Sequence, residues 1–69
     1  EIKILQELAS YEELLQNPQF SRERLRPFLP EGMALRKESR LLKRWVEWGF
    51  VKYIKYDTYE LNFDEIKEL

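Results

Sequence analysis

Five cationic side chains recur at helical spacing in the middle of the sequence and are its strongest candidates for chemistry. They are Arg36, Lys37, Arg40, Lys43 and Arg44. At 100° per residue they fall within an arc of about 120° on one side of a helix. Guanidinium and ammonium groups arranged in this way neutralise phosphates and donate hydrogen bonds to base edges. The pattern therefore favours nucleic-acid binding over an ordinary solvated helix face.

Other basic residues flank this set along the chain. Arg22 and Arg24 alternate with Glu23 in a short preceding segment, and Lys55 lies close to a predicted turn. If the chain binds nucleic acid, we expect these side chains to contact the phosphate backbone. Otherwise they are solvated surface charges.

The charge distribution separates the centre of the chain from its ends. Residues 21–56 hold ten Lys or Arg and four Glu, whereas residues 1–20 and 57–69 carry net charges of −3 and −4, in a chain whose total is −1. The total argues against a nucleic-acid partner. A basic centre between acidic ends nevertheless indicates one surface suited to an anionic partner.

The composition leaves few residues for catalysis. The sequence has no His and no Cys, so it offers no histidine base, no activated thiolate and no histidine or thiolate metal ligand. The one conceivable group of metal ligands is Asp57, Glu60, Asp64 and Glu65, and their spacing fits a turn, a strand surface and a helix cap better. We expect no enzyme activity, no cofactor and no metal.

Hydrophobic periodicity predicts three helices, near residues 2–16, 21–27 and 34–48. Proline at position 18 ends the first helix because it disfavours helical backbone in the residue before it. Ser21 is placed to cap the second helix. A glycine at position 49 ends the third.

Beyond that glycine the period changes to two, which predicts strands over residues 50–56 and 59–63. A two-residue turn at Asp57-Thr58 would join them into a hairpin. In that register Tyr56 faces Tyr59, Ile54 faces Leu61 and Lys55 faces Glu60. The register places apolar side chains on one face of the hairpin and charged ones on the other.

The predicted core draws on each helix and on the hairpin. It comprises Leu8, Leu25, Leu35, Leu42, Val46, Ile54 and Leu61, together with Trp45. Trp48 is expected to pack under the hairpin, with contact to a partner as the alternative. Tyr53, Tyr56 and Tyr59 either pack the hairpin or form an aromatic patch that a partner covers.

Three helices followed by a hairpin, within about 65 residues, resemble the winged-helix family. The stretch Leu41-Leu42-Lys43-Arg44-Trp45-Val46-Glu47-Trp48-Gly49-Phe50-Val51 is similar to the end of its recognition helix, the glycine stop and the start of the wing. The resemblance implies an α+β fold, a three-helix bundle followed by a two-stranded wing, with the third helix in the DNA major groove. Residues 55–59, the tip of the wing, are short and weakly basic for that family.

Two classes of function follow. The first is a nucleic-acid-binding module, for double-stranded DNA, in transcription regulation or as an accessory domain of a replication or repair protein. The second is a protein-interaction module, with another protein or a second copy as its partner, which the acidic balance and the Tyr and Trp residues favour. RNA binding by the same basic face stays open.

Length and hydropathy set the broad class. Sixty-nine residues allow one domain with one core, so we expect residues 1–69 to form a single winged-helix domain. The chain begins with Glu rather than Met, which is compatible with a domain cut from a longer protein. No apolar run approaches the length that spans a bilayer, so we expect an intracellular protein of the cytoplasm or nucleus with no membrane partner.

Overall fold

The computed structural model describes residues 2–69. In chain order the elements are helices α1 (Ile2–Ser10) and α2 (Glu12–Gln16), strand β1 (Gln19–Phe20), helix α3 (Arg22–Leu25) with a following 3-10 turn (Arg26–Phe28), helix α4 (Leu35–Glu47), strands β2 (Val51–Lys55) and β3 (Thr58–Leu61), and helix α5 (Phe63–Ile66). The fold is α+β, with five α-helices and a three-stranded antiparallel sheet in the described part of the chain.

The prediction of one helix over residues 2–16 is wrong, because the chain breaks at Tyr11. This residue is extended, with φ −75° and ψ 122°. Its ring packs edge-on against Phe28 with the centroids 5.3 Å apart. Its carbonyl accepts hydrogen bonds from the N–H groups of Leu14 and Leu15. These two bonds form the first turn of α2. After the break Leu14 is buried and Leu15 is exposed.

Helix α3 begins where the sequence predicts. The Ser21 hydroxyl accepts a hydrogen bond from the N–H of Arg24 at 3.3 Å, which satisfies one of the donors left open at a helix start. The helix is shorter than predicted, since the chain tightens into the 3-10 turn around Pro27. Proline cannot donate the hydrogen bond that would continue an α-helix.

The predicted third helix is confirmed as α4, and so is its glycine stop. Gly49 has φ +84°. This left-handed conformation costs glycine little energy, because glycine has no side chain. Its N–H donates to the carbonyl of Val46, and the N–H of Phe50 donates to the carbonyl of Trp45 at 2.9 Å. These two bonds form a Schellman motif, which ends α4 and turns the chain into β2.

The sheet has one strand more than the sequence predicts. Its order is β1-β3-β2 with both pairings antiparallel. Strand β1 aligns Gln19 with Glu60 and Phe20 with Tyr59. A strand of two residues has too few positions to show a two-residue period, so periodicity could not reveal it.

The predicted register of the hairpin is wrong. Tyr59 lies opposite Tyr53, not Tyr56. The other pairs join Val51 to Leu61, Lys52 to Glu60 and Lys55 to Thr58, in place of the predicted Ile54–Leu61 and Lys55–Glu60 pairs.

The shift has two causes. The ladder is irregular between Tyr53 and Lys55, as in a β-bulge, which inserts a residue on one strand. In addition, the turn falls at Tyr56-Asp57, with Asp57 at φ +56°. Tight hairpin turns require left-handed backbone, and Asp tolerates it better than most residues.

One core joins the helices to the sheet. Its buried apolar members are Leu5, Leu8, Leu14, Phe20, Leu25, Leu41, Leu42, Trp45, Val51, Leu61 and Ile66. Burial is thus confirmed for Leu8, Leu25, Leu42, Trp45 and Leu61. It is wrong for Leu35, Val46 and Ile54, which are 63%, 36% and 43% exposed.

The errors in α4 have a single origin. The buried face of this helix is formed by Glu38, Leu41, Leu42 and Trp45, so it is rotated by about 50° from the face that the apolar pattern predicts. The pattern excludes Glu38 because an isolated buried carboxylate is costly. That cost is offset here by arginines from the preceding segment.

Candidate nucleic-acid interface

The face of α4 opposite the core carries the cations singled out in the sequence. All five are exposed: Arg36, Lys37, Arg40, Lys43 and Arg44. Because α4 is a regular helix from Leu35 to Glu47, they lie along one side of it over about two and a half turns. We call this surface the basic face.

Most of the basic face takes no part in holding the fold together. No hydrogen bond or ion pair within residues 2–69 engages Arg36, Lys37, Arg40 or Lys43, whereas Arg44 does have an interaction. Four cationic groups are therefore available to an external anion.

The arginines before α4 are engaged within the fold. Arg22 and Arg26 both contact the buried carboxylate of Glu38, at 2.6 Å and 3.3 Å. Arg24 lies 2.8 Å from Glu13 in α2. Arg22 and Arg24, which the sequence groups with the candidate phosphate contacts, thus have partners within the fold, whereas Arg36, Lys37, Arg40 and Lys43 have none among residues 2–69.

Arg22 ties α3 to the first turns of α4. Besides its bond to Glu38, its guanidinium donates to the carbonyl of Leu35 at 3.2 Å and to the hydroxyl of Ser39 at 2.9 Å. Three acceptors on α4 therefore fix one side chain from α3. Arginine suits this role because its donors are held in a rigid plane.

The same residue also holds the hairpin tip. The backbone N–H of Arg22 donates to the carboxylate of Asp57 at 3.1 Å. This bond fastens the turn of the hairpin to the start of α3. The tip therefore has a fixed place beside α4.

Two of the three tyrosines of the hairpin are exposed and do not pack in the core. Tyr53 is 56% exposed and Tyr56, at the tip, is 90% exposed. Tyr59 is half-buried between Phe20, on which it stacks at 5.9 Å, and Tyr53, which it meets edge-on at 5.6 Å. Burial raises the pKa of the Tyr59 phenol, partly offset by the charge of Arg22, so this hydroxyl stays protonated at neutral pH.

Trp48 lies at the C-terminal end of α4 and Lys55 at the end of β2. The expected packing of Trp48 under the hairpin is wrong: its ring is 51% exposed and makes an edge-on contact with Phe50 at 6.2 Å. Lys55 is exposed beside the tip. Trp48 and Lys55 are both accessible to a partner.

Two clefts lie between α4 and the hairpin. One, of about 550 Å³, is bordered by Leu35, Arg36 and Tyr56. The other, of about 430 Å³, is bordered by Lys43, Val46 and Tyr53. Both are lined by Arg22 and Ser39, so together they form one surface feature, the α4–hairpin groove. Sequence patterns could not reveal it, because it depends on the hairpin register and on the tip contact.

Residues 2–69 hold neither a metal-binding cluster of side chains nor a membrane-spanning helix. No three His, Cys, Asp or Glu side chains in this range are grouped so that they could hold a metal ion. No helix in it is both long enough and apolar enough to cross a membrane.

Comparison of the chain with protein-family models, with curated proteins and with solved structures finds no match in any of the three.

Proposed function

We propose that this chain is a non-catalytic winged-helix module that binds double-stranded DNA through the basic face of α4. The observation that carries the proposal is the group of four cations on that face, Arg36, Lys37, Arg40 and Lys43, with no partner among the described residues, while the arginines of α3 are paired within the fold. Phosphate neutralisation needs such uncommitted positive groups on an exposed helix.

The position of the cations within α4 adds support. Arg36 and Lys37 lie in the first turn of the helix, where the helix dipole already presents positive charge and cations are unfavourable by about 0.3–1 kcal/mol. Such local conflicts between sequence and stability are typical of functional sites. An anion bound at this end of α4 would remove the conflict.

The arrangement of elements also supports the winged-helix interpretation. The hairpin follows α4 after a tight glycine stop, and its tip lies beside the start of α3. A duplex that takes up α4 would therefore pass close to the hairpin. We assign Arg36, Lys37 and Arg40 to the major groove, where they neutralise adjacent phosphates and reach base edges, and Lys43 and Arg44 to phosphates alone.

The test is a fluorescence-anisotropy titration of a mixed-sequence duplex at low and moderate salt. Each neutralised phosphate contributes about −0.9 to the slope of log K against log salt, so the four cations without a partner in residues 2–69 predict a slope of roughly −3.6. Absence of binding at low salt, or binding that does not respond to salt, would contradict the proposal. A module of this kind serves transcription regulation or a replication or repair protein, in the cytoplasm or nucleus.

A second candidate function is binding of another protein, and the exposed apolar side chains favour it. Leu35 and Val46 in α4, Trp48 at the C-terminal end of that helix and Ile54 in β2 are all exposed. Aromatic and aliphatic side chains of this kind are enriched in the centres of protein interfaces. A module of this second kind should not bind the duplex in a salt-dependent way, so the same titration separates the two functions.

A further inference from the structure

We infer that the α4–hairpin groove binds an unpaired polynucleotide strand, with its bases stacked on Tyr53 and Tyr56 and its phosphates along the basic face. The inference rests on the proposed function, because it uses the same cations for the backbone. It goes further in assigning a second ligand state, single-stranded nucleic acid, to a different set of side chains. Sequence-tolerant binding of single strands combines such aromatic faces with a positively charged track.

Tyr53 has the properties of a stacking platform. More than half of its side chain is exposed, yet its ring is braced by an edge-on contact with Tyr59 at 5.6 Å. Tyr59 in turn stacks on the buried ring of Phe20. A ring supported from the core loses little conformational freedom when a base stacks on it.

The backbone next to Tyr56 is held in place, although 90% of this residue is exposed. The next residue, Asp57, accepts the hydrogen bond from the N–H of Arg22 that fastens the tip to α3. Because the ring is so exposed, it contributes little hydrophobic stabilisation to the core. Its position beside Arg36 at the open end of the groove places an aromatic face where a base leaving the groove would lie.

The charges of the groove suit bases inside and phosphates outside. Within it, Arg22 is paired with Glu38, and the Asp57 carboxylate accepts a backbone hydrogen bond. Glu23 and Glu47 also line it, and carboxylates can accept hydrogen bonds from base amino groups. Arg36 and Lys43 also border the groove, and neither has a partner in the part of the chain that the structure describes. A lining of paired charges and hydrogen-bond acceptors beside a cationic edge matches bases on a charged backbone.

The experiment compares labelled oligo(dT) and oligo(rU) of about 12 nucleotides with a duplex of the same length. The test variant is Tyr53→Ala/Tyr56→Ala. The matched control is Tyr53→Phe/Tyr56→Phe, which keeps both aromatic faces and removes only the hydroxyls. Circular dichroism checks that every variant is folded. The two oligonucleotides show whether the strand bound is DNA, RNA or either.

We expect the Ala pair to weaken single-strand binding by about tenfold or more, as loss of base stacking does. The Phe pair should bind within about twofold of the unsubstituted chain, and duplex binding should change little in both variants, because the basic face is intact. Duplex binding without oligonucleotide binding, or equal oligonucleotide binding by the Ala and Phe pairs, would overturn the inference and leave the proposed function standing. Binding to neither ligand at low salt would overturn both.

Discussion

The Nε atom of Arg22 lies 2.6 Å from Oε1 of Glu38, whose side chain is only 2% exposed. The second oxygen of that carboxylate is 3.3 Å from Nε of Arg26. One buried acid on α4 thus binds two arginines from α3 and the turn that follows it. A buried ion pair adds little over an apolar pair of the same size, but removing one partner leaves an uncompensated charge. The Arg22–Glu38 contact therefore fixes how α3 sits on α4.

Replacing Arg22 should destabilise the fold far more than replacing Arg24. We expect Arg22→Ala to lower the free energy of unfolding by about 3 kcal/mol, the lower part of the range for a broken buried pair, since Arg26 still contacts Glu38. Arg24→Ala breaks an exposed pair with Glu13 and should cost less than about 1 kcal/mol. Urea denaturation followed by tryptophan fluorescence measures both values. Equal losses of unfolding free energy in the two variants would show that burial of Glu38 does not make its ion pair more important for stability.

Removing two cations from the basic face should weaken DNA binding without unfolding the chain. Arg36→Ala/Arg40→Ala should flatten the slope of log K against log salt by about 2, because two fewer phosphates are neutralised. Stability should stay within about 0.5 kcal/mol, as is usual for exposed side chains. The control is Lys3→Ala/Lys67→Ala, which removes the same charge from the acidic ends. Equal effects of the two double variants would show that net charge, and not α4, determines binding.

A pair of leucines in α4 tests which side of the helix faces the core. Leu42 is 2% exposed and Leu35 is 63% exposed. We expect Leu42→Ala to cost roughly 2–5 kcal/mol, the usual range for a buried leucine, and Leu35→Ala less than about 0.5 kcal/mol. Thermal and urea unfolding of the two variants give the comparison. A large loss at Leu35 would place the buried face where the apolar pattern alone puts it.

The start of α4 offers a stabilising substitution. Ala34 is the N-cap residue, with φ −66° and ψ 147°, and it has no side-chain oxygen to accept a helix N–H. Ala34→Ser should raise the free energy of unfolding by about 1 kcal/mol, the typical value of a side-chain cap. Ala34→Val, which changes size without supplying an acceptor, is the control and should give no gain. A gain in the valine variant would mean that burial, not capping, limits stability there.

The sequence predicts the helical half of this protein better than its sheet. The length of α4, its glycine stop and the Ser21 cap follow from local rules that act within a few residues. The break at Tyr11 does not, because it depends on contact with Phe28 from a distant segment. Strand β1 and the hairpin register were missed for a similar reason, since pairing between distant segments determines them.

In the candidate site too, features set by local rules could be predicted and those set by contacts between distant segments could not. Exposure of the five cations follows from helical spacing alone. The rotation of the buried face of α4 could not be predicted, because a glutamate at its centre is acceptable only when Arg22 and Arg26 are close by. The α4–hairpin groove was missed as well, since it is formed by side chains that the apolar pattern assigns to the core, Leu35 and Val46 among them.

The bond between the N–H of Arg22 and the carboxylate of Asp57 joins residues 35 positions apart in the chain. Strand β1, immediately before Arg22, pairs with β3, immediately after Asp57. Both contacts close long loops, and the entropy lost in closing one loop makes closing the other much less costly. Strand β1, the start of α3 and the hairpin should therefore form in a single cooperative step that follows the folding of α4. A fragment that begins at α3 would lack the outer strand of the sheet as well as the first two helices, so the segment before Arg22 is part of the minimal folding unit.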